Sequence, residues 1–265
     1  MRVCGYILDL DGTVYRGEYL IPGAGKSIAV VRARGRKILF VSNKPLYSRQ
    51  YYAKKLTKLG IPTEEKHVIN SSYVLARCLA KEAPHAKVFA IGEAPLLEEL
   101  RKAGLQFAND PNKVEYVVAA FDRAFDYRKL NIAFQALRRG ARFYATNPDR
   151  TCPVEDGEVP DAAAVIAALE ATTGRKVEKV FGKPSRYMVE AALEILGLPP
   201  ERCAVVGDRL ETDIRMAKEN GLIGILVLTG VTRPEDLEHS PLKPDYVLPS
   251  LAELPALDEK IGGAA

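Results

Sequence analysis

The sequence is poor in cysteine and histidine and contains no long apolar run. No segment approaches the roughly 18–20 uncharged apolar residues that a membrane-spanning helix needs, and Asp9 and Asp11 interrupt the N-terminus before a signal-peptide core is complete. The four cysteines lie far apart with no C-x-x-C pair, and the three histidines match no metal-ligand pattern. We therefore expect a cytoplasmic protein with free thiols, no membrane partner and no zinc centre.

A large excess of charge of one sign is also absent. The 38 basic and 34 acidic residues leave a formal net charge of +4, and the basic residues are scattered among acidic ones. This balance gives no indication of a nucleic-acid partner. Hydrophobic residues make up 47% and charged residues 27% of the 265 residues, which predicts a folded protein of one large or two smaller domains.

Short apolar runs alternate with helical patterns along the chain. The runs are typical of buried strands and cover 6–8, 38–41, 88–91, 116–118, 204–206 and 225–228. Amphipathic helices are predicted over 130–137, behind an Asp126 cap, and over 188–196. Glycines that are expected to end helices with positive φ are Gly35, Gly60, Gly104, Gly140, Gly174, Gly197 and Gly221. The alternation predicts an α/β fold with a parallel sheet, in which functional side chains follow the carboxyl ends of strands.

The first strand ends in two carboxylates, Asp9 and Asp11, two residues apart. Each disfavours ionisation of the other unless a cation or hydrogen bonds compensate. A hard ion such as Mg²⁺ would compensate. A turn at Gly12 followed by a helix cap is the alternative that the spacing alone leaves open.

Two further polar segments follow predicted strands. Ser42, Asn43 and Lys44 supply hydroxyl, amide and N–H groups that can hold phosphate oxygens, although Ser-Asn is also a common turn. Lys183 precedes a helix start, where the helix dipole favours negative charge. An anion or carboxylates are therefore expected beside Lys183, with a solvated lysine as the alternative.

The fourth polar segment is acidic. Asp208 directly follows the 204–206 strand, a position that favours metal ligation. Asp213 lies in the opening turn of the next helix, where it either complements the helix dipole or orients Lys183 and metal-bound water. All four segments would converge at one edge of a parallel sheet.

The segments DLDGTVYRG, FVSNKP, FGKPS and GDRLETDI resemble, in order, the four motifs of phosphatases of the haloacid dehalogenase (HAD) superfamily. The segments IPGA and ATNPD make the chain similar to the NagD-like, 4-nitrophenylphosphatase branch. The resemblance implies a five-stranded Rossmann-like parallel-sheet core, formed by residues 1–80 and 177–265. It also implies an inserted α/β cap domain of the C2 type, formed by residues 81–176, which shields the site and mediates a homodimer.

The resemblance implies a role for each matching residue. Asp9 corresponds to the nucleophile and Asp11 to the general acid/base. The expected Mg²⁺ ligands are Asp9, the main-chain carbonyl of Asp11 and Asp208, with Asp213 in a supporting role. The residues expected to bind phosphate or substrate are Ser42, Asn43, Asn147 and Lys183. For Asn147, an ordinary Asn-Pro turn is the alternative.

Two segments depart from the family pattern. Ser42-Asn43-Lys44 stands where Thr-Asn-Asn is usual, and Pro160-Asp161-Ala162-Ala163 stands where Pro-Gly-x-Gly is usual. Both changes leave the four motifs in place but put the choice of substrate in doubt.

The function implied is Mg²⁺-dependent hydrolysis of small phosphomonoesters through an aspartyl-phosphate intermediate. Candidate substrates are 4-nitrophenyl phosphate, phosphoglycolate, glycerol phosphate and sugar or nucleotide monophosphates. A phosphomutase would keep the same residues, and a non-hydrolytic module would accept or bind phosphate without turnover. A dehalogenase is disfavoured because attack at carbon needs neither the Asp11 acid nor a metal at Asp208.

Overall fold

The structure is a computed structural model in which residues 3–154 and 157–262 are described. The chain divides into two compact units. Unit 1 comprises residues 1–42, 49–69 and 183–265, and unit 2 comprises residues 43–48 and 70–182. The chain therefore passes between the units after residues 42, 48, 69 and 182.

Strands occur throughout both units. They are β1 (Gly5–Asp9), β2 (Tyr15–Arg16), β3 (Tyr19–Leu20), β4 (Lys37–Ser42), β5 (Val68–Asn70), β6 (Lys87–Ile91), β7 (Gln106–Phe107), β8 (Tyr116–Ala119), β9 (Arg142–Ala145), β10 (Thr151–Val154), β11 (Gly157–Pro160), β12 (Lys179–Val180), β13 (Cys203–Gly207), β14 (Ile223–Val227) and β15 (Tyr246–Leu248).

The helices alternate with these strands. They are α1 (Ala24–Ala33), α2 (Arg49–Lys58), α3 (Ser71–Glu82), α4 (Ala94–Lys102), α5 (Tyr127–Arg138), α6 (Ala162–Thr173), α7 (Arg186–Leu196), α8 (Arg215–Glu219), α9 (Pro234–His239) and α10 (Leu254–Ile261). A single π-helical turn, Leu210–Ile214, leads into α8. Within the described ranges, no helix is both long and apolar enough to cross a membrane.

The two amphipathic helices that the sequence predicts are confirmed, as is the Asp126 cap, and the structure adds a Ser185 cap. The Asp126 side chain accepts a hydrogen bond from the Lys129 N–H (2.7 Å) at the start of α5. The Ser185 hydroxyl accepts one from the Tyr187 N–H (3.1 Å) at the start of α7. Each bond satisfies a backbone donor that the helix itself leaves without a partner.

Unit 1 is built on a six-stranded sheet in the order β15-β14-β13-β1-β4-β5. β1 pairs in parallel with β13 and β4, and β14 pairs in parallel with β13 and β15. Tyr6 and Leu8 of β1 join a core with Ile28 of α1 and Leu254 of α10, while Ile7, on the opposite face, is also fully buried. This burial of both faces explains the continuous apolar runs and confirms the predicted α/β fold. The sheet has one strand more than the five that the resemblance implies.

Unit 2 has its own parallel sheet, in the order β12-β9-β8-β6-β7. Its core includes Val117 and Phe143 from the sheet and Leu137 and Leu169 from α5 and α6. β10 and β11 form a separate antiparallel pair. The prolines and polar residues of segment 146–161 are typical of an irregular loop, and the pairing of 151–154 with 157–160 shows that this expectation is wrong for those residues.

The predicted cap range, 81–176, lies within unit 2. The predicted boundary after residue 80 falls inside α3, which packs against α4 of the same unit. No change of composition marks the start of α3, so its packing partner is not visible in the sequence. That unit 2 acts as a cap stays a prediction.

Candidate active site

Strand register brings the polar segments of unit 1 to one edge of its sheet. β1 ends at Asp9, which lies opposite Val41 of β4, so Ser42 is one residue further along the neighbouring strand. On the other side of β1, β13 ends at Gly207 and Asp208 follows directly. The carboxyl ends of three parallel strands therefore present a carboxylate, a hydroxyl and a second carboxylate side by side.

Lys183 is buried between two carboxylates. Its Nζ donates hydrogen bonds to Oδ1 of Asp9 and to Oδ1 of Asp213, the latter at 2.7 Å. Burial alone would lower the pKa of Lys183, but the charges of Asp213 and Asp9 outweigh burial and raise the pKa above its usual range. The expectation that carboxylates lie beside this lysine is confirmed, and the lysine is held as a cation.

Hydrogen bonds to both carboxylate oxygens orient the Asp213 side chain. Oδ1 accepts from Lys183, and Oδ2 accepts from the main-chain N–H of Arg209 at 3.2 Å. The side chain is fully buried. Asp213 therefore fixes Lys183 against Asp9. Its supporting role in catalysis stays a prediction.

Three buried carboxylates meet at this edge. Asp9, Asp208 and Asp213 each place one oxygen within 4.8 Å of the others. Burial raises the pKa of Asp9 against the opposing charge of Lys183, and the charges of Asp213 and Asp208 raise it further. Burial and then the charge of Asp213 also raise the pKa of Asp208. The folded protein therefore resists placing three negative charges here without a further cation.

The donor set fits a divalent metal ion. Three ionised carboxylates against one ammonium leave two negative charges in excess, which a divalent cation would neutralise. Carboxylate oxygens are the ligands that hard ions such as Mg²⁺ prefer. Asp9 and Asp208, both predicted as ligands, belong to the cluster. The contribution of the Asp11 carbonyl stays a prediction.

Asp208 is held by a loop that sequence reasoning missed. Its Oδ2 accepts from the main-chain N–H of Val231 (2.7 Å), and its main-chain carbonyl accepts from the N–H of Thr232 (3.1 Å). Residues 229–232 follow β14 and lie far from Asp208 along the chain. The signal that was available is a Thr-Gly pair just beyond the end of a predicted strand.

Glycines leave room for these carboxylates. A Cβ on Gly230 would lie 1.9 Å from Oδ2 of Asp208, and a Cβ on Gly12 would lie 2.6 Å from the same atom. A Cβ on Gly207 would lie 2.2 Å from Cγ of Asp213. Since real Cβ atoms do not approach other atoms so closely, the acidic cluster depends on these three glycines.

The remaining predicted residues of unit 1 lie on the same strands. Asp11 is half-buried in the turn after β1, where the Gly12 N–H donates to the Tyr15 carbonyl at 2.8 Å. Ser42 is buried at the end of β4. The structure thus brings Asp9, Asp208, Asp213 and Lys183 into contact or close approach, with Ser42 at the same sheet edge.

Asn43 and Asn147, predicted to bind substrate, belong to unit 2. Both side-chain amides donate to Oδ2 of Asp149, each at 2.8 Å. Asn147 also donates to Oδ1 of Asp161 (3.3 Å) and accepts from the Thr146 hydroxyl (2.7 Å), and it is fully buried. These contacts organise the loops of unit 2, and substrate binding by either asparagine stays a prediction.

The chain matches two family models and several well-covered relatives. The model described as haloacid dehalogenase-like hydrolase covers residues 6–106, and a HAD-hydrolase-like model covers residues 180–254. Sugar-phosphatase AraL of Bacillus subtilis (strain 168) is 43% identical over 256 residues, which are 97% of this chain and 93% of AraL.

The chain belongs to the haloacid dehalogenase-like hydrolases. Among solved structures, p-nitrophenyl phosphatase from Archaeoglobus fulgidus matches with a TM-score of 0.92 and 40% identity, covering 97% of this chain and 100% of that one. NagD from Escherichia coli K-12 matches with a TM-score of 0.88 and 30% identity, covering 96% and 98%. The chain is therefore a NagD-like HAD phosphatase, a hydrolase of phosphoric monoesters, and the resemblance read from its motifs is confirmed.

Proposed function

We propose that this HAD phosphatase hydrolyses small sugar phosphates in a Mg²⁺-dependent reaction with Asp9 as the nucleophile. The observation that carries the proposal is the buried cluster of Asp9, Asp208 and Asp213 around Lys183. The similarity to a sugar phosphatase over nearly the whole chain supports the substrate class.

We infer the following chemistry for these side chains. An oxygen of Asp9 attacks phosphorus, and the bond from phosphorus to the sugar oxygen breaks as Asp11 gives that oxygen a proton. Water then attacks the phosphorus of the aspartyl phosphate while Asp11 takes up a proton, which restores the Asp9 carboxylate and releases inorganic phosphate. Lys183, held by Asp213, neutralises charge on the phosphoryl oxygens, and the Ser42 hydroxyl donates a hydrogen bond that orients them.

Asp9, Asp208 and the Asp11 carbonyl would hold the Mg²⁺. When bound, the ion supplies positive charge for the phosphoryl oxygens in the transition state. Burial and the charges of neighbouring carboxylates raise the pKa values of Asp9 and Asp208, and a bound metal would favour the ionised form of both.

The test is phosphate release from a panel of sugar phosphates, glycerol phosphate, phosphoglycolate, nucleoside monophosphates and 4-nitrophenyl phosphate, with Mg²⁺ and with EDTA. We expect release that EDTA removes and added Mg²⁺ restores, with sugar phosphates turned over most efficiently. Asp9→Asn serves as the inactive control of nearly identical size. Full activity in EDTA would contradict the proposed Mg²⁺ dependence. More efficient turnover of a compound other than a sugar phosphate would contradict the proposed substrate class.

The same assay separates hydrolysis from phosphoryl transfer within the substrate. Chromatography of the products should show free sugar and inorganic phosphate in equal amounts. An isomeric sugar phosphate without phosphate release would instead identify a phosphomutase.

A further inference from the structure

We propose that Thr229 is a positioning residue for the metal site, acting through the peptide that follows Asp11. The proposal rests on the proposed function, because it assumes that Mg²⁺ binds at Asp9 and Asp208. Thr229 lies just after β14 and belongs to none of the four motifs. Its hydroxyl donates a hydrogen bond of 2.6 Å to the main-chain carbonyl of Gly12.

Gly12, in the turn after β1, has a backbone conformation that contacts with other residues must hold in place. Its φ is +87°, a conformation that glycine adopts easily and also leaves easily. The Gly12 N–H is held by the Tyr15 carbonyl at 2.8 Å, and the Gly12 carbonyl is held by Thr229 at 2.6 Å. Both peptide planes that flank Gly12 are therefore fixed.

The first of those planes contains the main-chain carbonyl of Asp11. Because a peptide unit is planar, the direction of the Gly12 N–H also sets the direction of the Asp11 C=O. A change in φ or ψ of Gly12 would turn the Asp11 C=O relative to the Gly12 C=O, which Thr229 holds, and would break one of the two hydrogen bonds. The Thr229 hydroxyl thus limits the movement of a carbonyl that is expected to face the metal.

The same loop holds a second expected ligand. Two residues after Thr229, the Val231 N–H donates to Oδ2 of Asp208 at 2.7 Å. The Thr229 carbonyl in turn accepts a hydrogen bond of 2.5 Å from Nη2 of Arg16, an exposed residue. Residues 229–231 therefore connect the Asp11–Gly12 turn to Asp208 and set the spacing between two parts of the site.

The experiment measures Mg²⁺ binding by titration calorimetry, without substrate or phosphate. Thr229→Val keeps the shape of the side chain and removes the hydroxyl, which leaves the Gly12 carbonyl without this donor. We expect its Kd for Mg²⁺ to rise about tenfold, and Thr229→Ser, which keeps the hydroxyl, to stay within about twofold of wild type. Phosphatase activity of Thr229→Val should be low at limiting Mg²⁺ and recover at saturating Mg²⁺.

Thr63→Val is the matched control. Thr63 is another half-buried threonine of unit 1, and its hydroxyl donates to a main-chain carbonyl, that of Ile61, at 2.8 Å. Its removal should leave the Kd for Mg²⁺ unchanged. Equal weakening in Thr63→Val, or equal weakening in Thr229→Ser and Thr229→Val, would overturn the positioning role.

The outcomes also distinguish the two proposals. Wild-type protein that binds no Mg²⁺ overturns the proposed function and the role of Thr229 with it. If the wild-type protein binds Mg²⁺ and Thr229→Val binds it with the same Kd, only the role of Thr229 is overturned. If Thr229→Val does not fold, Arg16→Ala removes the hydrogen bond to the Thr229 carbonyl from an exposed position and should raise the Kd about fivefold. A Kd within twofold of wild type in that variant would overturn the inference.

Discussion

Each unit contains a buried polar cluster beyond the ends of parallel strands, but the two clusters differ in charge. In unit 1, Lys183 forms ion pairs with Asp9 and Asp213, and Asp208 lies within 4.8 Å of both carboxylates. In unit 2, the carboxylate of Asp149 accepts hydrogen bonds from two neutral amides, and a second acidic residue, Asp161, caps a helix.

This difference in charge helps to distinguish a reactive site from a structural polar cluster when both lie at the ends of parallel strands. In unit 2, amide hydrogen bonds and the charge of Lys44 oppose the effect of burial on the carboxylates. The carboxylates of unit 1 exceed their cations, which costs stability unless a ligand or metal compensates. An uncompensated buried charge therefore marks the functional edge better than burial or hydrogen bonding alone.

The largest expected effect is that of removing the nucleophile. Asp9→Asn keeps an acceptor for Lys183 but cannot form the aspartyl phosphate, so kcat should fall on the order of a thousandfold or more. Because one of three buried negative charges is gone, the metal-free protein should melt no lower than wild type. Phosphate release within tenfold of wild type would show that another residue attacks phosphorus.

Removing the cation of the unit 1 cluster should have the next largest effect. Lys183→Met leaves Asp9 and Asp213 without their common partner, and kcat should fall about 10²- to 10³-fold. Without metal, the free energy of unfolding should fall by about 3–5 kcal/mol, because a buried ion pair is broken from one side.

Lys179→Met in unit 2 is the matched control for that substitution. Lys179 pairs with Glu82 at 2.6 Å, but both side chains are more than a quarter exposed. The loss in unfolding free energy should be about 1 kcal/mol or less. If urea unfolding showed similar losses of unfolding free energy for the two variants, the ion pairs of Lys183 would contribute no more to stability than a surface ion pair.

A smaller effect is expected from filling the space beside Asp208. In Gly230→Ala the new Cβ would lie 1.9 Å from Oδ2 of Asp208, so the carboxylate must move by an ångström or more, which should lower kcat about 10²-fold. In the control Gly224→Ala the new Cβ would lie 3.4 Å from the nearest side chain, an ordinary contact. Equal rates of phosphate release for the two variants would contradict the requirement for glycine at 230.

The sequence reveals the central strands and the motifs because local signals determine them. β1, β4 and β13 are covered on both faces and read as unbroken apolar runs. All seven glycines predicted to end helices have positive φ. The carboxylates expected beside Lys183 are present because parallel strands end at a common edge, which follows from topology.

Other features depend on contacts that no local pattern records. β12 has only two residues, and β10 and β11 contain proline, which weakens the strand signal. The hydrogen bonds that Val231 and Thr232 donate to Asp208 join residues far apart in sequence. Membership of α3 in unit 2 depends on its packing against α4.

The smallest expected effect is a pH dependence of stability within unit 2. Burial raises the pKa of Asp161 to about 6, the charge of Asp149 adds to this, and hydrogen bonds from the Ala162 N–H and Asn147 oppose it. Because the folded state binds the proton more tightly than the unfolded chain, this contribution to stability is full below about pH 3.8 and is lost as the pH rises through about 6. Its size should be at most about 3 kcal/mol.

Asp161→Asn removes the titrating group at the N-terminus of α6 and should flatten this dependence. Asp126→Asn makes the same change at the exposed cap of α5 in the same unit and should leave the dependence as in wild type. Amide hydrogen exchange of α6 between pH 4 and 7, corrected for the intrinsic exchange rate, reports the local free energy of opening. A wild-type α6 whose opening free energy rises with pH in this range would mean that hydrogen bonds to ionised Asp161 outweigh its burial, and that the unit 2 cluster prefers its charged form.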